Sequence, residues 1–140
     1  MLHYRKTKLT YNRHRTNDQT LTVCAFCDIA NEHIVAENDT MFVIPNRVSY
    51  DMFEGRRVVD HVMVIPKLHR ESTAEFTAAE RSDVMLLIGE YESKGYNVYM
   101  RGVDSPSRSV KHQHTHLIKL RTKSSQFVLY AHKPYILIDF

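Results

Sequence analysis

The chain has 140 residues, 43% hydrophobic and 25% charged, with four Gly, four Pro and a formal net charge of +3. That length points to one domain with a real hydrophobic core, and no apolar run approaches the roughly 20 residues needed to cross a bilayer. The first residues lack the apolar stretch of a secretory signal, so the expectation is a soluble, cytoplasmic protein with no membrane partner.

Before Asp18 the chain carries Arg5, Lys6, Lys8, Arg13 and Arg15 and no acid. Residues 1–22 therefore read as a basic N-terminal extension. It is a solvated tail or an added edge strand, with contact to nucleic acid or another polyanion as the functional alternative. Its two tyrosines, Tyr4 and Tyr11, give no specific support to a transit peptide.

The only cysteines are Cys24 and Cys27. With no export signal, a lone CxxC points to a metal half-site or a redox pair before a structural disulfide. No βαβ pattern follows that would seat a redox motif at a helix start, and nine histidines can complete a metal's ligand set. Metal is the favoured reading.

Cys24 to Glu32 reads as a short N-terminal helix or turn. Ile34–Ala36 and Thr40–Ile44 read as two strands, with Glu37-Asn38-Asp39 turning between them and Pro45-Asn46 closing the second. A charge-rich loop follows from Arg47 to Arg57. Val58 to Ile65 is a strand rich in β-branched residues and closed by Pro66.

The clearest helix begins at Thr77. Thr77 and Glu80 fit a capping box, and Val84, Leu87, Ile88 and Tyr91 recur at helical spacing to make one buried stripe. Lys94-Gly95 supplies a basic last turn and a C′ glycine, so the helix spans about 78–94. Asn97–Met100 is the next strand, and Asp104–Ser107 turn the chain.

Val110 to Leu120 is read as a strand carrying His112, His114 and His116. Alternation puts residues i, i+2 and i+4 on one face, about 6–7 Å apart at a rise of about 3.3 Å per residue. Histidine titrates close to neutrality, so such a row can supply a nucleophile, a proton donor and a phosphate contact. A solvated strand face or an adventitious metal site produces the same tract. Phe127–Tyr130 and Tyr135–Ile138 form a last hairpin around Lys133-Pro134. Short strands around one long helix give an α+β class with an antiparallel sheet of about five strands.

Four pieces in order now resemble a known family. They are Cys24-Ala-Phe-Cys27-Asp-Ile, Asn46-Arg47 after a strand, His61-Val-Met-Val-Ile-Pro-Lys-Leu-His69, and Gly95-Tyr-Asn followed by Ser109-Val-Lys-His112-Gln-His114-Thr-His116-Leu-Ile. Over residues 23 to 120 the chain resembles the histidine triad (HIT) nucleotide hydrolases and transferases, which assigns 23–140 to a HIT-like domain. The resemblance implies a homodimer. It also implies cleavage at the α-phosphate of a nucleotide or dinucleoside polyphosphate through a covalent nucleotidyl-histidine intermediate.

By the same resemblance His114 attacks phosphorus and His116 touches the phosphate or assists the leaving group, with His112 as the first triad member. Ser109 contacts phosphate, Asn46 meets ribose hydroxyls and His61 lies near the site. A structural zinc is held by Cys24, Cys27, His69 and His112, a closed set with no open position. Without the resemblance, Asn46 reads as a turn residue and His61 as a packed histidine at a strand start.

The chain departs from the family in three places. Gln113 and Thr115 replace apolar residues, and a buried Gln113 needs a hydrogen-bond partner. Arg101 and Arg108 add positive charge beside the phosphate site, which favours a more anionic substrate. The loop between Asn46 and His61 is longer, and its Tyr50, Met52 and Phe53 form a base-binding wall or a dimer contact. These departures keep an alternative open: a zinc-stabilised nucleotide-binding module with weak or lost catalysis. Transfer to a phosphorylated acceptor and nucleic-acid-end processing complete the competing readings.

Overall fold

A computed structural model describes Thr7, Leu9, Thr10, Asn12, Arg13 and residues 24–124, with the backbone of Phe127–Tyr130 and Tyr135–Ile138. Arg5, Lys6, Lys8 and Arg15 of the basic lead lie outside the described residues, as does the Lys133-Pro134 turn. The described residues of the lead are helical rather than an edge strand, and the Thr7 hydroxyl donates to Asp51 Oδ1 at 3.2 Å.

The class is α+β, as the sequence implied. One antiparallel sheet holds β1 (Ala36–Glu37), β2 (Met41–Pro45), β3 (Met52–Phe53), β4 (Arg56–Pro66), β5 (Tyr96–Met100) and β6 (Thr115–Ser124). Its order is β1-β2-β4-β6-β5, with β3 added onto β4, so the sheet has six strands. β7 (Phe127–Tyr130) and β8 (Tyr135–Ile138) pair as the expected hairpin.

The helix α1 spans Ala78–Ser93, and the capping box forms in both directions: Thr77 Oγ1 accepts from the Glu80 N–H while Glu80 Oε2 accepts from the Thr77 N–H. Gly95 ends it at φ +84°, a conformation that favours glycine. Val84 and Leu87 are buried against Met41, Val43, Val62, Val64, Phe76 and Leu117, with Ile88 and Tyr91 beside them. The helix therefore covers one face of the sheet. On the other face Ile44, Met63 and Ile65 pack with Phe26, Ile29, Ile34 and Phe42. Met63 pairs with His116 across β4 and β6, which puts the end of the triad on this second face.

Several local expectations are corrected. Cys24–Glu32 is not one helix but a turn closed by Cys27 N–H to Cys24 O, then a 3-10 turn at Asn31–His33. β1 begins two residues later than Ile34. The segment read as loop 47–57 contains a tight hairpin, because Glu54 and Gly55 both adopt positive φ (49° and 68°) between the Met52↔Arg57 and Phe53↔Arg56 pairs.

The largest correction concerns the triad: β6 starts at Thr115, so His112 and His114 precede the strand. Extending the register beyond Val64↔Thr115 would set Gln113 opposite Pro66, which has no N–H to give. The Gln113 N–H instead donates to the Arg70 carbonyl at 2.6 Å.

Candidate active site

The three triad rings remain on one side despite the irregular start. His112, His114 and His116 are all buried, and the His114 and His116 rings meet edge-on at 5.0 Å between centroids. Each ring has its own surroundings.

His112 belongs to a cluster with Cys24, Cys27 and His69, whose ligand atoms lie within 4.8 Å of one another. Its Nδ1 is 3.6 Å from both sulfurs, and Cys27 Sγ is 3.3 Å from His69 Nδ1. A tetrahedral ion with bonds of about 2.3 Å to sulfur and 2.0–2.1 Å to nitrogen needs a sulfur–nitrogen separation of about 3.6 Å. The four residues thus fit a metal ion. His112 Nε2–H donates to the Pro66 carbonyl at 3.0 Å, which frees Nδ1 to face the sulfurs, the usual support of a metal-bound imidazole. Burial above all pushes the His112 pKa down to about 4, so the ring is a neutral ligand.

His114 Nδ1–H donates to the His112 carbonyl at 2.9 Å. That bond fixes the tautomer and leaves the lone pair on Nε2. Burial chiefly lowers its pKa, with Arg101 and Arg108 nearby adding to the effect. The edge of Phe26, from between the two cysteines, packs on the ring at 5.3 Å and on His112 at 6.0 Å. The cysteine turn therefore touches both histidines.

His116 sits in a buried polar group that the sequence did not foretell. Its Nδ1 is 2.9 Å from His61 Nε2, and its Nε2 is 3.3 Å from both Tyr50 Oη and Arg101 Nη1. Arg101 Nη2 donates to Tyr50 Oη at 2.6 Å, and its guanidinium lies over the Tyr50 and Tyr99 rings. Burial first, then His114, His61 and Arg101, press the His116 pKa down to about 2. Asn46 lies over the His61 ring, its Nδ2 at 3.4 and 3.1 Å from the two nitrogens.

The remaining candidates fare differently. Arg108 donates to the carbonyls of Val110, Glu71 and Lys111, bracing the loop ahead of the triad, and its Nη1 is buried with no partner. Ser109 is exposed. Gln113 is 3% exposed and its Nε2 has no partner; it borders a cavity of about 190 Å³ with Ser72, Thr73 and Arg101. Tyr50, read beforehand as part of a base wall or a dimer contact, reaches His116. Phe26 was missed as well, although its place inside the CxxC turn was the available signal.

No family model and no curated protein matches the chain. Solved structures do. A histidine triad protein from Clostridium difficile is 23% identical with a TM-score of 0.54, covering 77% of this chain and 98% of its own. A histidine triad nucleotide-binding protein from Candida albicans is 18% identical with a TM-score of 0.55, covering 81% and 86%. A HIT family hydrolase from Clostridium thermocellum is 22% identical with a TM-score of 0.52, covering 84% and 100%. The chain has the histidine triad fold. Within that fold this chain has a Cys2His2 cluster that includes the first triad histidine and a Tyr50–Arg101 pair against the last.

Proposed function

We propose that the chain is a histidine triad enzyme, a nucleotide hydrolase or nucleotidyl transferase that works through His114. The observation that carries this is the His114 Nδ1–H to His112 carbonyl bond, which leaves the Nε2 lone pair of a buried ring whose pKa burial, and then the charge of Arg101, lowers. A neutral imidazole is a competent nucleophile, and its covalent adduct replaces one hard displacement with two easier ones.

In the first step His114 Nε2 bonds to the α-phosphorus and the leaving group departs with its electron pair. In the second, water attacks phosphorus, the P–N bond breaks, and a nucleoside monophosphate is released; a phosphorylated acceptor in place of water makes the reaction a transfer. Arg101 and His116 meet charge on the phosphoryl oxygens, where fixed donors give much of the acceleration. Asn46 meets the ribose, and Ser109 is set to meet phosphate from the loop before the triad. His61 holds His116, and His112 serves through its carbonyl. The extra charge of Arg101 supports a dinucleoside polyphosphate as substrate; Arg108 adds to the field at His114 while bracing its own loop.

The metal that Cys24, Cys27, His69 and His112 would hold is zinc, since two thiolates and two imidazoles suit it and leave no open position. Bound there, zinc would stiffen the approach to His114 and press Phe26 onto its ring. The setting that keeps both thiols reduced is the cytoplasm. No helix among the described residues is long and apolar enough to cross a membrane. The working unit is a homodimer, and the basic residues 1–22 contact a polyanion if they contact anything.

The test is turnover of diadenosine polyphosphates, adenosine phosphoramidate and sugar nucleotides by the protein and by His114→Ala, with intact-mass detection of an adduct. Turnover with a nucleotidyl adduct, both lost in His114→Ala, is expected. A saturable nucleotide site without adduct or turnover would instead establish the binding module, which the unpartnered amide of Gln113 keeps in view.

A further inference from the structure

We propose that the cavity bordered by Gln113 is a binding site for a phosphate group, separate from the triad rings and joined to them by Arg101.

Three stretches of chain meet there. Ser72 and Thr73 begin the 3-10 turn at Thr73–Glu75, Met100 ends β5 with Arg101 and Val103 following, and Gln113 precedes β6. Together they border about 190 Å³, several times the roughly 30 Å³ share of one water molecule. Among the described residues no triad histidine and no carboxylate lines this space.

Gln113 is the most buried of the lining side chains. Its Nε2 has no hydrogen-bond partner among the described residues, a cost the fold carries unless something accepts from it. The backbone under this amide is fixed: the Gln113 N–H is held by the Arg70 carbonyl, and Arg70 Nε by Glu80.

The other polar walls have hydrogens to give as well. Ser72 Oγ accepts from the Ala74 N–H at 3.1 Å, so its own hydrogen remains to be donated. Thr73 is exposed and brings a second hydroxyl. The buried Arg101 guanidinium brings a positive charge that it keeps across the working pH range. Donors from three segments, a fixed cation and no acid select against a metal ion and for an oxyanion. A carboxylate lays two oxygens in one plane, whereas a tetrahedral phosphate directs an oxygen at each of the three walls. Met100 and Val103, both exposed, form the apolar rim.

Arg101 borders both places. Its Nη1 lies 3.3 Å from His116 Nε2 and its Nη2 donates to Tyr50 Oη, while the same side chain lines the cavity. The phosphate group comes either from free orthophosphate or from the phosphate chain of a nucleotide.

The experiment titrates inorganic phosphate, and separately ADP, into the full chain at constant ionic strength. Nitrogen–proton NMR follows the Gln113 side-chain amide and calorimetry follows the heat. We expect a saturable shift of that amide. Gln113→Met and Ser72→Ala should each weaken binding by about 10-fold or more, the worth of one hydrogen bond to a charged group. Ser72→Ala leaves the core untouched, and the wild-type titration needs no variant at all. Orthophosphate binding that survives in His114→Ala assigns the site to the free ion. Binding of ADP alone, with the same losses in both variants, assigns it to a nucleotide's phosphate chain. No saturable shift with either ligand, or binding unchanged in both variants, would overturn the site and leave Gln113 to water. Orthophosphate binding abolished in His114→Ala would overturn it too, by placing the ion at the triad. None of these results decides the nucleotidyl-transfer reading, on which the site does not depend.

Discussion

Glu80→Ala tests whether the start of α1 anchors the loop that carries the triad. Glu80 is 3% exposed; it accepts from the Thr77 N–H at 2.7 Å and from Arg70 Nε at 3.0 Å, and the Arg70 carbonyl in turn holds the Gln113 N–H. Alanine removes half of the capping box, a loss of about 1 kcal/mol. It also removes a charge-assisted bond worth about 1.5–3 kcal/mol, of which the lower end applies because Arg70 is 26% exposed and regains water. The sum is about 2–3 kcal/mol, or a fall in Tm of about 8–12 °C at roughly 4 °C per kcal/mol for a chain of this size. Burial alone would raise the Glu80 carboxyl, but the bonds from Thr77 and Arg70 outweigh it and hold its pKa below the ordinary 4.5. A lowered carboxylate pKa means stability present above the unfolded value and lost as pH falls through the folded one. Urea unfolding followed by circular dichroism should therefore show the full gap at pH 7 and a narrowing gap below about pH 4.5. A gap under about 0.5 kcal/mol at pH 7, or one that does not change with acid, would refute the reasoning.

Three further outcomes are expected. Zinc at a hundred times its Kd adds about 2.7 kcal/mol, so a chelator should lower Tm by about 10 °C in the wild type and hardly at all in Cys27→Ala; a wild type indifferent to chelator would dismiss the zinc site. Gln113→Met replaces a buried amide nitrogen that lacks a partner, and should raise the urea midpoint by the equivalent of about 1 kcal/mol, whereas a comparable loss would mean that the amide is engaged in solution. Gly95→Ala meets no atom within 4 Å but must adopt φ +84°, so its cost of about 1 kcal/mol is conformational; a neutral result in the same assay would contradict it.

Local signals were legible and long-range ones were not. The Thr77–Glu80 box and the Val84–Leu87 stripe depend on residues three and four apart, and α1 ends within one residue of expectation. The α+β class followed from strand and helix patterns, and the resemblance added the particular fold. The start of β6 was misplaced because alternation of His112, Gln113 and His114 looks the same in a strand and in a loop. What decides it is Pro66 and the Arg70 carbonyl, both more than forty residues away. The Glu54-Gly55 hairpin was hidden because its flanks, Met52-Phe53 and Arg56-Arg57, do not alternate. Of the site, the cysteine pair pointed by its spacing to a cluster that could hold a metal, whereas the contact of Tyr50 with His116 gave no signal. The position of Tyr50 follows from that hairpin and from the bond its N–H makes to His61, neither visible in the order of residues.

The interior of this site is polar to a degree that burial alone would penalise. His61, Arg101, His112, Gln113, His114, Thr115 and His116 are all buried. An imidazole out of water needs its N–H satisfied, and two of these rings have a backbone acceptor: Pro66 O for His112 and His112 O for His114. Those bonds leave one unprotonated nitrogen on each ring, and the chain decides what that nitrogen faces. For His112 it is two cysteine sulfurs, and for His114 it is, in the proposed reaction, the side from which phosphorus would approach. The hydrogen bonds that make these histidines tolerable inside the protein are thus the ones that, in the proposed reaction, would sort them into metal ligand and nucleophile. A solvated row of three histidines would have had no such division, since water satisfies either nitrogen equally.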